Sequence, residues 1–201
     1  SMKFPNSKDI DKEGGFEKLF MSIINPSQSS KDSSYKFAFA RFLIENSLNS
    51  NESNVQFSTI ADYFLRYYWT QECRSKLNQS AYKVMKSGQK KEKKSVITSI
   101  IIQEFGNHIY PDFYEKIKEK YPQKINNCIS EIKKKCFHDV TYAFQYVSRG
   151  NKTEDVAPIF FHYDITGYKK RYDRPTDKPL IDFKKGIKLN PNVMSFFKRH
   201  H

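Results

Sequence analysis

Two aromatic-rich segments close together in sequence constrain this chain more than any other feature. In Tyr35-Lys-Phe-Ala-Phe-Ala-Arg-Phe-Leu-Ile-Glu45, the residues Tyr35, Ala38, Phe39, Phe42 and Leu43 fall on one helical face. In Phe57-Ser-Thr-Ile-Ala-Asp-Tyr-Phe-Leu-Arg-Tyr-Tyr-Trp69, Ile60, Tyr63, Phe64, Tyr67 and Tyr68 repeat the pattern, with Ser58 placed to cap the helix and Asp62 in its first turn. Stripes this apolar must be buried, so two helices packed on each other or on a shared core are expected. A polar loop over residues 46–54 should separate them.

The rest of the chain is strongly polar and basic. Across 201 residues, 35 Lys and Arg stand against 22 Asp and Glu, a formal charge of +13, and the isoelectric point is near 9.5. A field of that sign draws polyanions, with nucleic acid or an anionic membrane surface as the usual partners. No apolar run approaches the ~18 residues of a membrane span, and no signal-peptide core is visible. The three cysteines, Cys73, Cys128 and Cys136, form no CxxC pair, so neither a disulfide framework nor a zinc knuckle is indicated. A cytoplasmic protein with no membrane attachment is expected.

Taken in order, residues 1–15 form a flexible lead-in, in which Ser1 has the look of a remnant of tag removal. A short helix starts at Phe16 and stops at Asn25-Pro26. Past Trp69 come Arg74 and Lys76, then a lysine-rich segment, Lys83-Val-Met-Lys-Ser-Gly-Gln-Lys-Lys-Glu-Lys-Lys94. That segment lies between helices, so the fold fixes its ends. Residues 96–105 read as a buried helix capped by Ser95, although their β-branched content also suits a strand. Pro111 and Pro122 both suit a first helical position. After Pro122, Ile125, Cys128, Ile129, Ile132 and Cys136 share one face, and Lys133, Lys134 and Lys135 sit near the expected C-terminal end.

Beyond Phe137 the period shortens to two. Val140, Tyr142, Phe144 and Tyr146 alternate with smaller or polar residues, which predicts a strand. A turn at Arg149-Gly-Asn151, a strand over residues 159–163 and strand or hairpin segments at 180–183 and 186–189 follow. Asn190-Pro191 then opens a final helix. The expected fold class is therefore α+β and mainly helical: a helical bundle over residues 16–137, then a small antiparallel sheet over 138–201, winged-helix-like and packed as one domain. In such modules a helix enters the major groove and a basic hairpin loop straddles the phosphate backbone.

Two basic segments are the candidate phosphate contacts. Lys86, Lys90, Lys91, Lys93 and Lys94 lie in the first, and Lys169, Lys170, Arg171 and Arg174 in the second, interleaved with Tyr168 and Tyr172. Arg74 and Lys76 are candidates for groove contact. Double-stranded DNA is the expected partner.

Catalytic signals are thin. Asp112, Asp182 and Lys184 carry the letters of a PD-(D/E)xK nuclease, in which paired carboxylates hold Mg²⁺ and lysine polarises the attacking water. Asp112 reads as a helix start rather than a strand end, which argues against that chemistry. His162 with Asp164, and His138 with Asp139, supply too few ligands for a metal site. No catalytic residue, metal or other cofactor is assigned, Mg²⁺ entering only with the nuclease alternative. A protein-interaction module of a defence system is the third reading.

The helix containing Tyr35-Lys-Phe, the helix ending Tyr67-Tyr-Trp69 with its basic continuation, residues 159–164 and residues 187–197 together resemble the N-terminal region of bacterial HNH endonuclease-domain proteins of restriction or phage-defence type. The resemblance spans residues 35–197. It implies the DNA-recognition part of such an enzyme, with its HNH nuclease domain missing from this chain and supplied by a C-terminal continuation or partner. The catalytic histidine and metal ligands of that nuclease have no counterpart here.

Overall fold

The computed structural model describes residues 8, 15–24, 33–82, 96–106, 113–144, 160–162 and 186–200. Among these residues, seven helices and three short strands run in the order α1 (Gly15–Ile24), α2 (Ser33–Asn49), β1 (Asn54–Gln56), α3 (Phe57–Tyr82), α4 (Val96–Phe105), α5 (Tyr114–Lys120), α6 (Pro122–Phe144), β2 (Phe161–His162), β3 (Gly186–Leu189) and α7 (Pro191–Arg199). The chain is thus mainly helical with a small antiparallel sheet, an α+β protein. It divides into two compact units, one made of Ser1–Ile60 with Phe137–His201 and the other of Ala61–Cys136. None of the helices among the described residues is long and apolar enough to cross a membrane.

The first unit is built round the sheet, whose strand order is β1-β3-β2. The central strand β3 is antiparallel to both neighbours: Val55 pairs with Ile187, and Phe161 with Leu189. Its residues alternate as a half-buried strand must, Ile187 and Leu189 inward and Lys188 outward. Gly186 is where β1 comes closest, since a Cβ there would lie 2.1 Å from the Val55 carbonyl oxygen. Only a residue without a side chain permits that approach.

Backbone bonds then tie the junction of β3 and α7 to the residues that lead into β1 and β2. Leu189 N–H donates to the Ser53 carbonyl at 2.8 Å and Asn190 N–H to the Phe160 carbonyl at 2.8 Å. Asn190 is also the N-cap of α7, its side-chain oxygen accepting from Asn192 N–H at 3.0 Å, with Pro191 as the first helical residue. Helix α2 packs on α7 and α1, and phenylalanines fill the core between the elements. The Phe39 ring meets Phe161 at 5.2 Å, and Phe20 meets Phe197 at 5.1 Å edge-on. Lys198 closes the outside with a hydrogen bond to Asn51.

The second unit packs α3 from Ala61 onward with α4, α5 and the first part of α6. Trp69 stands edge-on to Phe105 at 5.0 Å, and Phe105 in turn meets Tyr121 at 6.1 Å. Ile125, Cys128, Ile132 and Cys136 supply the buried face of α6 as its periodicity predicts, Ile129 lying at its margin. Gly106, with φ of 74°, ends α4, its N–H donating to the Ile102 carbonyl at 2.7 Å.

Several expectations need correction. The stripes of α2 and α3 are buried as expected, with Phe39, Phe42, Phe57 and Ile60 in the first unit and Phe64 and Trp69 in the second. Within α3 the buried stripe is rotated towards Leu65 and Trp69, leaving Tyr63 and Tyr67 half-buried. The predicted polar loop begins only at Ser50, because α2 runs to Asn49, and it contains β1, which is too short to show a period. Ser58 is not the cap, since β1 hands directly into α3 at Phe57; its hydroxyl donates instead to the Gln56 side chain.

Pro122 does open α6, but α5 starts at Tyr114, three residues after Pro111. Of the strand predicted at Val140, Tyr142, Phe144 and Tyr146, the first three residues continue α6, and Tyr146 lies outside the described residues. Nothing between Pro122 and Phe144 breaks the helix, and propagation of an existing helix outweighs the β-preference of a few residues. Lys133, Lys134 and Lys135 are therefore mid-helix rather than at its end, and Lys134 and Lys135 pair with Glu131 at 3.9 and 3.2 Å. The sheet is also not purely C-terminal, because β1 comes from the middle of the helical part.

Substituting Gly186→Ala forces a methyl group into the Val55 carbonyl. It is expected to destabilise the protein by about 1–3 kcal/mol, read as a lowered midpoint in urea unfolding followed by circular dichroism.

Candidate nucleic-acid interface

The residues predicted to contact DNA divide by position. Arg74 and Lys76 lie within α3, whose helical backbone continues to Tyr82, and not beyond its end. Lys86, Lys90, Lys91, Lys93 and Lys94 lie outside the described residues, in the segment joining α3 to α4. Those two helices are held together in the second unit by Trp69 on Phe105. Lys169, Lys170, Arg171 and Arg174 also lie outside the described residues, in the segment joining β2 to β3. Its two ends are antiparallel neighbours, His162 standing opposite Lys188. Asp112, Asp182 and Lys184, the letters of the nuclease alternative, lie outside the described residues, as does Asp164. His138 and Asp139 fall on the helical backbone of α6.

The described surface adds a group of cations that sequence reasoning passed over. Lys124 places its ammonium 5.5 Å from the Phe105 ring centre and 5.8 Å from that of Tyr121. Lys120 approaches Tyr121 at 5.6 Å. On α3, the Arg66 guanidinium lies 5.0 Å from the Tyr63 ring. Ring faces attract cations, so these side chains have a preferred lodging on the surface although their heads remain in water. The available signal was Lys116, Lys120 and Lys124 recurring at intervals of four.

Nearby, a polar cluster ties α3 to α5. The Tyr114 hydroxyl donates to Asp62 Oδ1 at 2.6 Å, and Lys118 Nζ donates to the same oxygen at 3.0 Å. Burial and the hydrogen bond to Asp62 hold the Tyr114 hydroxyl protonated well above the usual tyrosine range. Lys118 is thereby engaged within the fold. At the α4–α6 contact, Asn127 donates to Glu104 at 3.0 Å.

The two described cysteines are buried and unbridged. Burial pushes the Cys128 thiol up to about 12, with Glu104 and Glu131 adding to the effect. Burial likewise raises Cys136 to about 12, against the opposing pull of Lys135. Both are inert packing groups at neutral pH. Among the described residues there is no cluster of three or more His, Cys, Asp or Glu that would hold a metal ion.

Two tests follow from this geometry. Tyr114→Phe removes a hydrogen bond to a carboxylate that keeps Lys118, and is expected to lower stability by about 0.5–1.5 kcal/mol in urea unfolding. For pH, all three raised groups keep their protons when folded under conditions in which the unfolded chain releases them. The folded state therefore binds more protons in the alkaline range. Their stabilising contribution is intact below the ordinary thiol range, about 8.5, and declines as pH rises through it. For the thiols the decline is complete near 12. Urea midpoints measured between about pH 8 and 11 should fall, and a Cys128→Ala, Cys136→Ala variant should show a shallower fall.

Set against protein-family models, curated proteins and solved structures, this chain shows no match.

Proposed function

We propose that this chain is a double-stranded DNA-recognition domain of winged-helix-like character, belonging to a restriction- or defence-type endonuclease. The observation that carries the reading is the pairing of β2 with β3. These antiparallel neighbours bracket the segment containing Lys169, Lys170, Arg171 and Arg174. A basic connection between adjacent antiparallel strands is the layout of a wing that reaches for a phosphate backbone.

The other supports are electrostatic. The formal charge is +13, and the lysine-rich segment between α3 and α4 is tethered at both ends to helices of one unit. Lys188 faces outward on β3, close in sequence to the second basic segment. Cations spread over two connecting segments contact phosphates without reading sequence, so register on the duplex falls to a helix. Arg74 and Lys76 on α3 are the candidates for that role. The resemblance to HNH-domain proteins assigns the cutting chemistry to a nuclease domain outside this chain.

The test is binding of a labelled duplex at several salt concentrations, with and without Mg²⁺, alongside a gel for cleavage. Binding is expected, with log affinity falling steeply and linearly against log salt. Reversing the charges of Lys90, Lys91, Lys170 and Arg171 should abolish most of it. No binding of the unaltered protein at low salt would overturn the reading. Mg²⁺-dependent cutting lost on Asp182→Ala would replace it with the nuclease alternative.

A further inference from the structure

Helix α5 and the start of α6 carry lysines at intervals of four residues. Along α5, Glu115 and Glu119 stand four residues apart, as do Lys116 and Lys120, and Lys124 continues the lysine row into α6. Neighbours at i and i+4 share one side of a helix, so acids line one side of α5 and lysines another. Like charges at that spacing destabilise a helix, and the opposite charges at i and i+3, Glu115 with Lys118 and Lys116 with Glu119, counter that repulsion. Lys118 is the exception, paired with Asp62 of α3.

Lys116 and Lys120 are exposed and Lys124 is half-exposed. None of the three pairs with a described carboxylate, while Lys118, Lys134 and Lys135 do. The row is not loosely arranged, because Lys120 and Lys124 both lie against the Tyr121 ring and Lys124 also against Phe105. Those rings belong to the packed chain of Trp69, Phe105 and Tyr121. Lys120 and Lys124 thus present their ammonium groups beside a packed ring, and Lys116 lies one turn back on α5, about 6 Å along the axis from Lys120.

We infer that Lys116, Lys120 and Lys124 form a phosphate-contacting row through which the second unit grips the backbone of duplex DNA. The inference rests on the DNA-recognition reading and adds a contact surface that neither basic connecting segment supplies. Lysine ammoniums act towards phosphate as point charges, without the bidentate geometry that reads a base edge. The row therefore adds affinity on every sequence and discrimination on none. A bound polyanion also offsets the repulsion within the row.

The test compares the unaltered protein with K116Q/K120Q/K124Q on two duplexes of unrelated sequence. Losing three phosphate contacts should reduce the slope of log affinity against log salt by about 2.7, equally on both duplexes. K116R/K120R/K124R should restore the slope, which separates lost charge from lost folding. If the glutamine variant keeps the slope and affinity of the unaltered protein while Lys90→Gln, Lys91→Gln lowers them, the row is not a contact and the DNA-recognition reading stands. If the unaltered protein binds neither duplex at low salt, the reading and the row fall together. Retention of an acidic protein instead would assign these lysines to that partner and overturn the proposal.

Discussion

The meeting of β1 with β3 is the constraint on which the first unit depends. It joins residues 54–56 to residues 186–189, and it is permitted at its tightest point by the missing side chain of Gly186 against the Val55 carbonyl. Once β3 is held there, Leu189 and Asn190 bond backward to the Ser53 and Phe160 carbonyls. The cap at Asn190 then sets where α7 begins. Phe197, Phe161 and Leu189 become buried as consequences of that placement. The closure entropy of so long a loop must be met before any of these contacts forms, and the concentrated phenylalanine core is what offsets it.

The second unit depends on local contacts instead. Its helices are consecutive in sequence, and one line of rings, Trp69, Phe105 and Tyr121, runs through α3, α4 and the α5–α6 junction. That line serves two purposes. Its rings bury apolar area between the helices, and the faces of Phe105 and Tyr121 carry lysine ammoniums. A charged surface therefore rests on a rigid support, and the Asp62, Tyr114 and Lys118 cluster adds a directional link between α3 and α5. The three part-buried groups of that cluster are tolerated because each finds a partner within it.

Much of this was readable from periodicity and caps. The burial of Ala38, Phe39, Phe42 and Leu43, the inward face of α6 and the Asn190-Pro191 helix start all follow from spacing and from the chemistry of helix ends. Failures occurred where local preference met a longer-range effect. Val140, Tyr142 and Phe144 have the letters of a strand, yet the helix from Pro122 carries through them. β1, with one buried residue, has no period to detect. The lysine row was visible as a four-residue repeat, but its aromatic support was not, because Phe105 is distant from Lys124 in sequence.

By itself, then, the sequence determined which faces must be buried, the sign of the field around the protein and the chemistry that starts or stops several helices. These are local or additive properties, set by spacing, charge and side-chain type. Tertiary structure alone decided that the division between the two units falls within α3, after Ile60, and that a three-residue strand at residues 54–56 pairs with one at residues 186–189. It also decided which lysines are engaged inside the fold and which face outward. Those outcomes depend on pairings between distant residues. Their energies come from burial and backbone hydrogen bonds that exist only when both partners are in place.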